Sequence, residues 1–154
     1  PPRSTLFPYT TLFRSKDRLA RAVDDDTEAF NAVMEAMKLP KGTSEEKAER
    51  EVALQSGYKV AVEVPLSTAE SCVEALELAT QSVAGNKNSA SDAGVAALMA
   101  RAGVHGAALN VLINLGSIHD AAYAQQMRTK IEALRSRADG LCDKAVRIVE
   151  EGFR

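Results

Sequence analysis

Three consecutive aspartates, Asp24, Asp25 and Asp26, stand in the segment VDDDTEAF, and the third occupies an awkward place. From Leu19 the apolar residues run Leu19, Val23, Phe30, Val33 and Met37. Asp26 fills the gap in a 4-3-4-3-4 spacing that sets all six on one side of a helix. A carboxylate kept charged and unpaired in an apolar seam costs several kcal/mol. It therefore finds donors or holds its proton toward neutral pH, the condition a general acid or base needs. The alternative is a helix turned slightly, with the three acids forming a solvated acidic surface.

Asn110 and Asn114 lie four apart in HGAALNVLINLG, where every other residue from Ala107 to Leu115 is apolar. Both amides face one way. They suit a polar heterocycle held by paired donors and acceptors, or equally a hydrogen bond between helices that fixes register. Asn86, Asn88, Ser89, Ser91 and Asp92 form a polar loop before an apolar run, suited to ligand binding or to a plain helix cap. Lys41 follows Leu39 and Pro40 at a turn, where a flexible ammonium meets an anionic ligand or only water. His105 and His119 lack an E-x-x-H or H-E-x-x-H context, and Cys72 and Cys142 lie far apart, so neither a metal site nor a disulfide is expected. No Ser/His/Asp order, P-loop or G-x-G-x-x-G occurs.

The elements that would carry these groups are helices. The first should end near Leu39, because Pro40 disfavours the α region before it. Thr43 and Glu46 make a capping box for a second helix to about Val64, where Pro65 breaks or kinks it. Ser67 and Glu70 offer another box for a third helix ending at Gly85. Ser91 or Asp92 then caps an Ala-rich helix to Leu115, single or broken around Gly103. Met127, Ile131, Leu134, Ala138, Leu141, Ala145 and Ile148 repeat at 4-3-4-3-4-3 and predict a long C-terminal helix. VAVEV, at positions 60–64, alternates like a strand but is short and ends at proline, so it is read as helix. The expected fold is all-α, an up-and-down bundle of long helices, with seams that continue into a homodimer.

Composition agrees. The 154 residues, 45% hydrophobic and 26% charged, fit one domain able to bury a core, and five Pro, nine Gly and no Trp favour helix over sheet. A net charge of -2 with scattered Lys and Arg gives no field for a phosphate backbone, so nucleic acid is not an expected partner. No apolar run is read as reaching the roughly 18 residues that cross a bilayer, and no leader pattern is seen. Neither a membrane nor any compartment but the cytoplasm is expected.

The N-terminus stands apart. Residues 5–15, TLFPYTTLFRS, are internally repetitive and resemble the translation of a sequencing-adapter oligonucleotide. Residues 1–15 are expected to be an artefactual or disordered tail, and 16–154 a helical domain lacking its N-terminal segment.

Five segments in order, VDDDTEAF, MKLPKGTSEEK, KVAVEVPL, GNKNSASDAGVAAL and GAALNVLINLGSIHD, resemble the cyclodeaminase domain of formimidoyltransferase-cyclodeaminase and the stand-alone bacterial methenyltetrahydrofolate cyclohydrolases. The resemblance runs from Lys16 to the C-terminus. It implies an all-helical, dimeric, metal-free enzyme whose substrate and carrier is a tetrahydrofolate derivative, with a place in histidine degradation and an upstream formimidoyltransferase domain or protein as partner. It implies that Asp26 is catalytic, and that Lys41, Asn86, Asn88, Ser91, Asp92, Asn110 and Asn114 surround the folate. In the cyclodeaminase reaction Asp26 would take the proton of the attacking folate nitrogen and hand one to the departing amine. In the cyclohydrolase it would activate water against the methenyl bridge. The family's initial helices, with a Pro-Gly-Gly-Gly-Ser type turn, have no counterpart here. Two other readings are a non-catalytic helical oligomerisation or folate-binding module and a metal-binding four-helix bundle, the latter opposed by the lack of paired Glu and His ligands.

Overall fold

Residues 7–85 and 89–153 are described in a computed structural model, with side chains from Arg14 onward. They form four helices, α1 (Phe7–Lys38), α2 (Ser44–Gly85), α3 (Ala90–Leu115) and α4 (Ala121–Glu151), and no strand. The all-α expectation is met, including the helical state of 60–64. α2 is central and packs against the other three, while α1 packs against α2 alone. A cleft is thereby left between α1 and α3.

The predicted ends hold in part. Thr43 Oγ1 accepts from the Glu46 amide at 3.1 Å, while Glu46 Oε2 accepts from the Gly42 and Thr43 amides at 2.7 and 3.0 Å, a complete capping box opening α2. α3 is one helix that starts after Ser89 rather than Ser91 or Asp92. Gly103 does not break it. A Cβ there would lie 2.8 Å from Cys72 Sγ, so the glycine permits α2 and α3 to approach. α4 buries Ile131, Ala138 and Ala145 of its predicted stripe, together with Cys142. Its N-cap, Asp120, accepts from the Tyr123 amide at 3.0 Å, and that bond holds the carboxyl below its usual range.

Several expectations differ from the structure. Pro65 neither breaks α2 nor starts a new helix at Ser67; α2 runs through it for 42 residues. The proline lacks the amide that would bond the Ala61 carbonyl one turn back. Asn114 Nδ2 reaches across from α3 and donates to that oxygen at 2.7 Å. Ser67 is then interior helix, its carbonyl accepting from the Ser71 hydroxyl at 3.0 Å, and Glu70 pairs with Lys130 at 2.7 Å.

The face of α1 differs too. Ala29, Val33 and Ala36 are its buried apolar residues, and Val33 sits against Gly57, where a Cβ would lie 3.0 Å away. Val23 and Phe30 are 68% and 62% exposed, because the close α1–α2 approach is made by small side chains and turns the bulkier stripe outward. The helix also begins inside the stretch expected as a tail. Residues 7–15 are helical, and buried Ser15 donates to Glu74 Oε2 at 3.0 Å, beside Arg18, whose Nη1 bonds both Glu74 oxygens at 3.1 Å.

Finally, α3 is long and apolar enough, by length and composition, to cross a membrane, contrary to the sequence reading. Its many alanines, together with Val, Leu, Ile and Met, outweigh the polar residues that interrupt the longer aliphatic runs. Only 28% of its most apolar window is buried in the bundle.

The Asn114 bond to Ala61 gives a stability prediction. Asn114→Ala should destabilise the protein by about 1–3 kcal/mol by leaving a carbonyl unpaired. In a Pro65→Ala background, where an intrahelical amide is restored, the same change should cost about half as much or less. Urea denaturation of the four proteins measures the cycle. Strictly additive costs would show that Asn114 does not serve this carbonyl.

Candidate functional site

Where α1 stands clear of α3, a cavity of about 390 Å³ opens above α2. Leu19, Ala22, Val23, Asp26 and Thr27 line it from α1, Val64, Pro65 and Thr68 from α2, and Ala107 and Asn110 from α3. Most of its wall is apolar, and its polar residues are Asp26 and Thr27 on α1, Thr68 on α2 and Asn110 on α3. This is a common composition for a heterocycle site.

Asp26 lies at this cavity rather than in a dry seam, and it is solvent-exposed. It makes no hydrogen bond or ion pair with other described residues. Thr27, next to it, spends its hydroxyl on the Val23 carbonyl at 3.0 Å and leaves the carboxylate alone. Asn110 is likewise exposed and unbonded. Asn114, one turn on, is tied to Ala61. The two amides share a face, as their spacing predicts, but divide their work between ligand space and backbone.

The remaining sequence candidates do not gather here. Lys41 is exposed on the α1–α2 turn and lines no part of this cavity. It follows the end of α1, twelve residues or about 18 Å of helix beyond Asp26. Ser91 and Asp92 sit in the first turn of α3, about 27 Å of helix from Asn110. Asp92 helps line a separate cavity of about 350 Å³ between the end of α2 and the start of α3, with Leu78, Ser82 and Ser89. Helices are stiff rods, so residues distant along one rod cannot meet at one point of the same chain. Asn86 and Asn88 lie outside the described residues.

Sequence reading missed Thr68, Val64 and Pro65 as cavity residues. The one available signal is a proline inside a helical pattern, which in sequence alone reads as a helix break. The histidines work elsewhere. His105 Nε2 lies 3.0 Å from Asp139 Oδ1, which also takes Arg101 Nε at 2.7 Å, a clamp between α3 and α4. The His105 hydrogen bond is the main reason the Asp139 carboxyl stays below its usual range. Among the described residues no three His, Cys, Asp or Glu side chains come together as a metal group.

Residues 9–133, which include the cavity, match the sequence profile of the family described as Formiminotransferase-cyclodeaminase. The chain belongs to that family. A methenyltetrahydrofolate cyclohydrolase of Methylorubrum extorquens is 43% identical over 134 residues, covering 86% of this chain and 64% of its own length. A formimidoyltransferase-cyclodeaminase of Sus scrofa is 46% identical over 123 residues, 79% of this chain but 23% of the longer protein. Among solved structures, a formiminotetrahydrofolate cyclodeaminase of Thermotoga maritima superposes with a TM-score of 0.78 at 27% identity, over 90% of this chain and 65% of that one. The family member described here thus spans less than two thirds of the length of each of these relatives.

The split between the amides can be tested without any ligand. Asp26→Asn and Asn110→Ala should each change unfolding free energy by no more than about 0.5 kcal/mol, because both side chains are exposed and unbonded. Asn114→Ala should stand apart as the destabilised variant in the same thermal melts. A large loss from Asn110→Ala would show that its amide is structural.

Proposed function

We propose that this chain is a folate-dependent one-carbon enzyme, with Asp26 as its acid/base and the cavity between α1, α2 and α3 as its folate site. The observation that carries the reading is that the Asp26 carboxylate and the Asn110 amide, both unengaged among the described residues, line one largely apolar cavity from different helices. The names of its relatives supply the substrate class: a formimino- or methenyl-tetrahydrofolate.

In the cyclodeaminase reaction the folate's anilinic nitrogen attacks the protonated formimino carbon on the neighbouring nitrogen. A carbon–nitrogen bond forms, and Asp26 accepts the proton released from the attacking nitrogen. The carbon–amine bond then breaks as Asp26 returns that proton to the amine. Ammonia leaves, and the one-carbon unit remains as the 5,10-methenyl bridge. One carboxylate suffices because the proton taken is the proton given. In the cyclohydrolase reaction the same group takes a proton from water as it adds to the methenyl carbon. Asn110 donates to, or accepts from, the heterocycle and fixes its orientation. The proposed setting is cytoplasmic, where the buried free thiols of Cys72 and Cys142 stay reduced.

The proposal includes a homodimer built on α3. Val95, Met99, Leu109 and Ile113 are 56–73% exposed, and with Ala102 and Gly106 they continue a 4-3-4-3-4 stripe on the outer side of that helix. Gly106 meets nothing within 4 Å of a built Cβ, leaving room for another backbone. A contiguous uncharged face of this kind marks an interface.

Two measurements follow. Incubation with 5-formiminotetrahydrofolate should release ammonia and build the methenyl chromophore, or methenyltetrahydrofolate should lose that chromophore by hydrolysis. Asp26→Asn should slow the turnover by about 10²–10⁴-fold while the protein stays folded; full activity in that variant would overturn the role of Asp26. Met99→Glu combined with Ile113→Glu should shift sedimentation from dimer to monomer. A dimer that survives both charges would exclude this face.

A further inference from the structure

A second cavity of about 380 Å³ lies between α1 and α2. It shares Ala22, Val64 and Thr68 with the Asp26 cavity, so the two spaces adjoin along those residues. Its polar lining divides into spent and unspent groups. Arg18 is held by Glu74 at 3.1 Å, the Ser71 hydroxyl by the Ser67 carbonyl at 3.0 Å, and Glu63 accepts from the Tyr123 hydroxyl at 3.3 Å. Among the described residues the charged groups of Arg21 and Asp25 make no hydrogen bond or ion pair, not even with each other, and the Ser67 hydroxyl is also unspent. They are four residues apart on one face of α1, a guanidinium beside a carboxylate, with Ala22, Val60 and Val64 as apolar neighbours.

That pairing selects its ligand by charge and hydrogen-bond order. An anion would meet Asp25 and Glu63 as well as Arg21, and a cation would meet Arg21. A neutral ring edge with two adjacent donors beside an acceptor satisfies both free groups at once. The 2-amino-4-oxo edge of a pterin has that order: its exocyclic amine and ring N–H are donors, and its carbonyl oxygen accepts. We infer that Asp25 and Arg21 read this edge, the carboxylate accepting both ring donors in fork fashion and the guanidinium donating to the carbonyl.

The inference rests on the folate reading of the Asp26 cavity and deepens it. Asp25 and Asp26 are neighbours on a helix, so their side chains are turned about 100° apart. One lines each cavity, on either side of Ala22. The pterin's recognition edge then lies at Asp25 while its one-carbon nitrogen lies toward Asp26. Adjacent aspartates carry separate tasks, recognition and proton transfer, and Ala22 is small enough to let one ring system reach both.

Binding of two ring fragments tests this, using 6-methylpterin and 6-methyllumazine, which differ in replacing the 2-amino donor by an oxo acceptor. In fluorescence titrations the wild-type chain should bind the pterin at least tenfold more tightly. Asp25→Asn should abolish that preference, and Asp26→Asn should keep it while losing turnover. Retention of the preference in Asp25→Asn overturns the inference, as does failure of the wild type to bind 6-methylpterin. If Arg21→Ala weakens 5-formyltetrahydrofolate but not 6-methylpterin, the guanidinium serves the glutamyl carboxylate, and the inference falls. Loss of the preference in Asp25→Asn, in a wild-type chain that turns over neither folate, would sink the enzyme reading alone.

Discussion

Proline carries no amide proton, so at Pro65 the central helix leaves the Ala61 carbonyl without its intrahelical partner. An unpaired carbonyl at a helix interface is costly. Asn114 supplies the missing donor at 2.7 Å from a different helix, and this bond ties α3 to α2 at the level of the cavity. Without it, α2 would be expected to kink at Pro65, the proline that forms the cavity floor. Asn110, one turn before Asn114 on α3, would lose its fixed place in the cavity wall. One backbone deficit thus sets the relative placement of two of the three walls.

The third wall is held differently. α1 meets α2 through small side chains: Ala29, Val33 and Ala36 are buried, Val33 against Gly57, and Ser15 with Arg18 engages Glu74 further back. Because α1 does not pack on α3, the space between them is open along the stretch that carries Leu19 to Thr27. Close packing below and separation above produce the two cavities flanking Ala22. The same arrangement sends Val23 and Phe30 outward, so the apolar residues that would fill a core helix instead border the site or face solvent.

The fold was largely legible because helix periodicity and the Thr43–Glu46 box are local signals whose physics needs no distant partner. The α4 stripe was read correctly for the same reason. What sequence could not show was anything decided between helices. Pro65 looks like a stop in one dimension and becomes an interior residue only when Asn114 is brought to it in three. Gly103 looks like a break and is a contact with Cys72. On α1 the stripe of large apolar residues was taken as the buried face, yet the buried face is the alanine side, since helices that approach closely select small side chains there. Of the candidate site, Asp26 and Asn110 are at one cavity, while Lys41, Ser91 and Asp92, which the family resemblance puts around the same ligand, lie at helix ends away from it, because matched motifs carry no distance.

The environment of Asp26 also changes what kind of acid/base it can be. Among the described residues the carboxylate is exposed and unbonded, so no neighbouring side chain holds it in place. The apolar part of the wall, Leu19, Ala22, Val64, Pro65 and Ala107, shields it from water only when a flat ligand fills the cavity. Under the proposed role, the substrate ring itself would complete the dry surroundings of the group that acts on it, and binding and chemistry would be coupled through that one event. A ring held at its far edge by other groups would gain most from it, because the reacting nitrogen would reach Asp26 in the same step that excludes water.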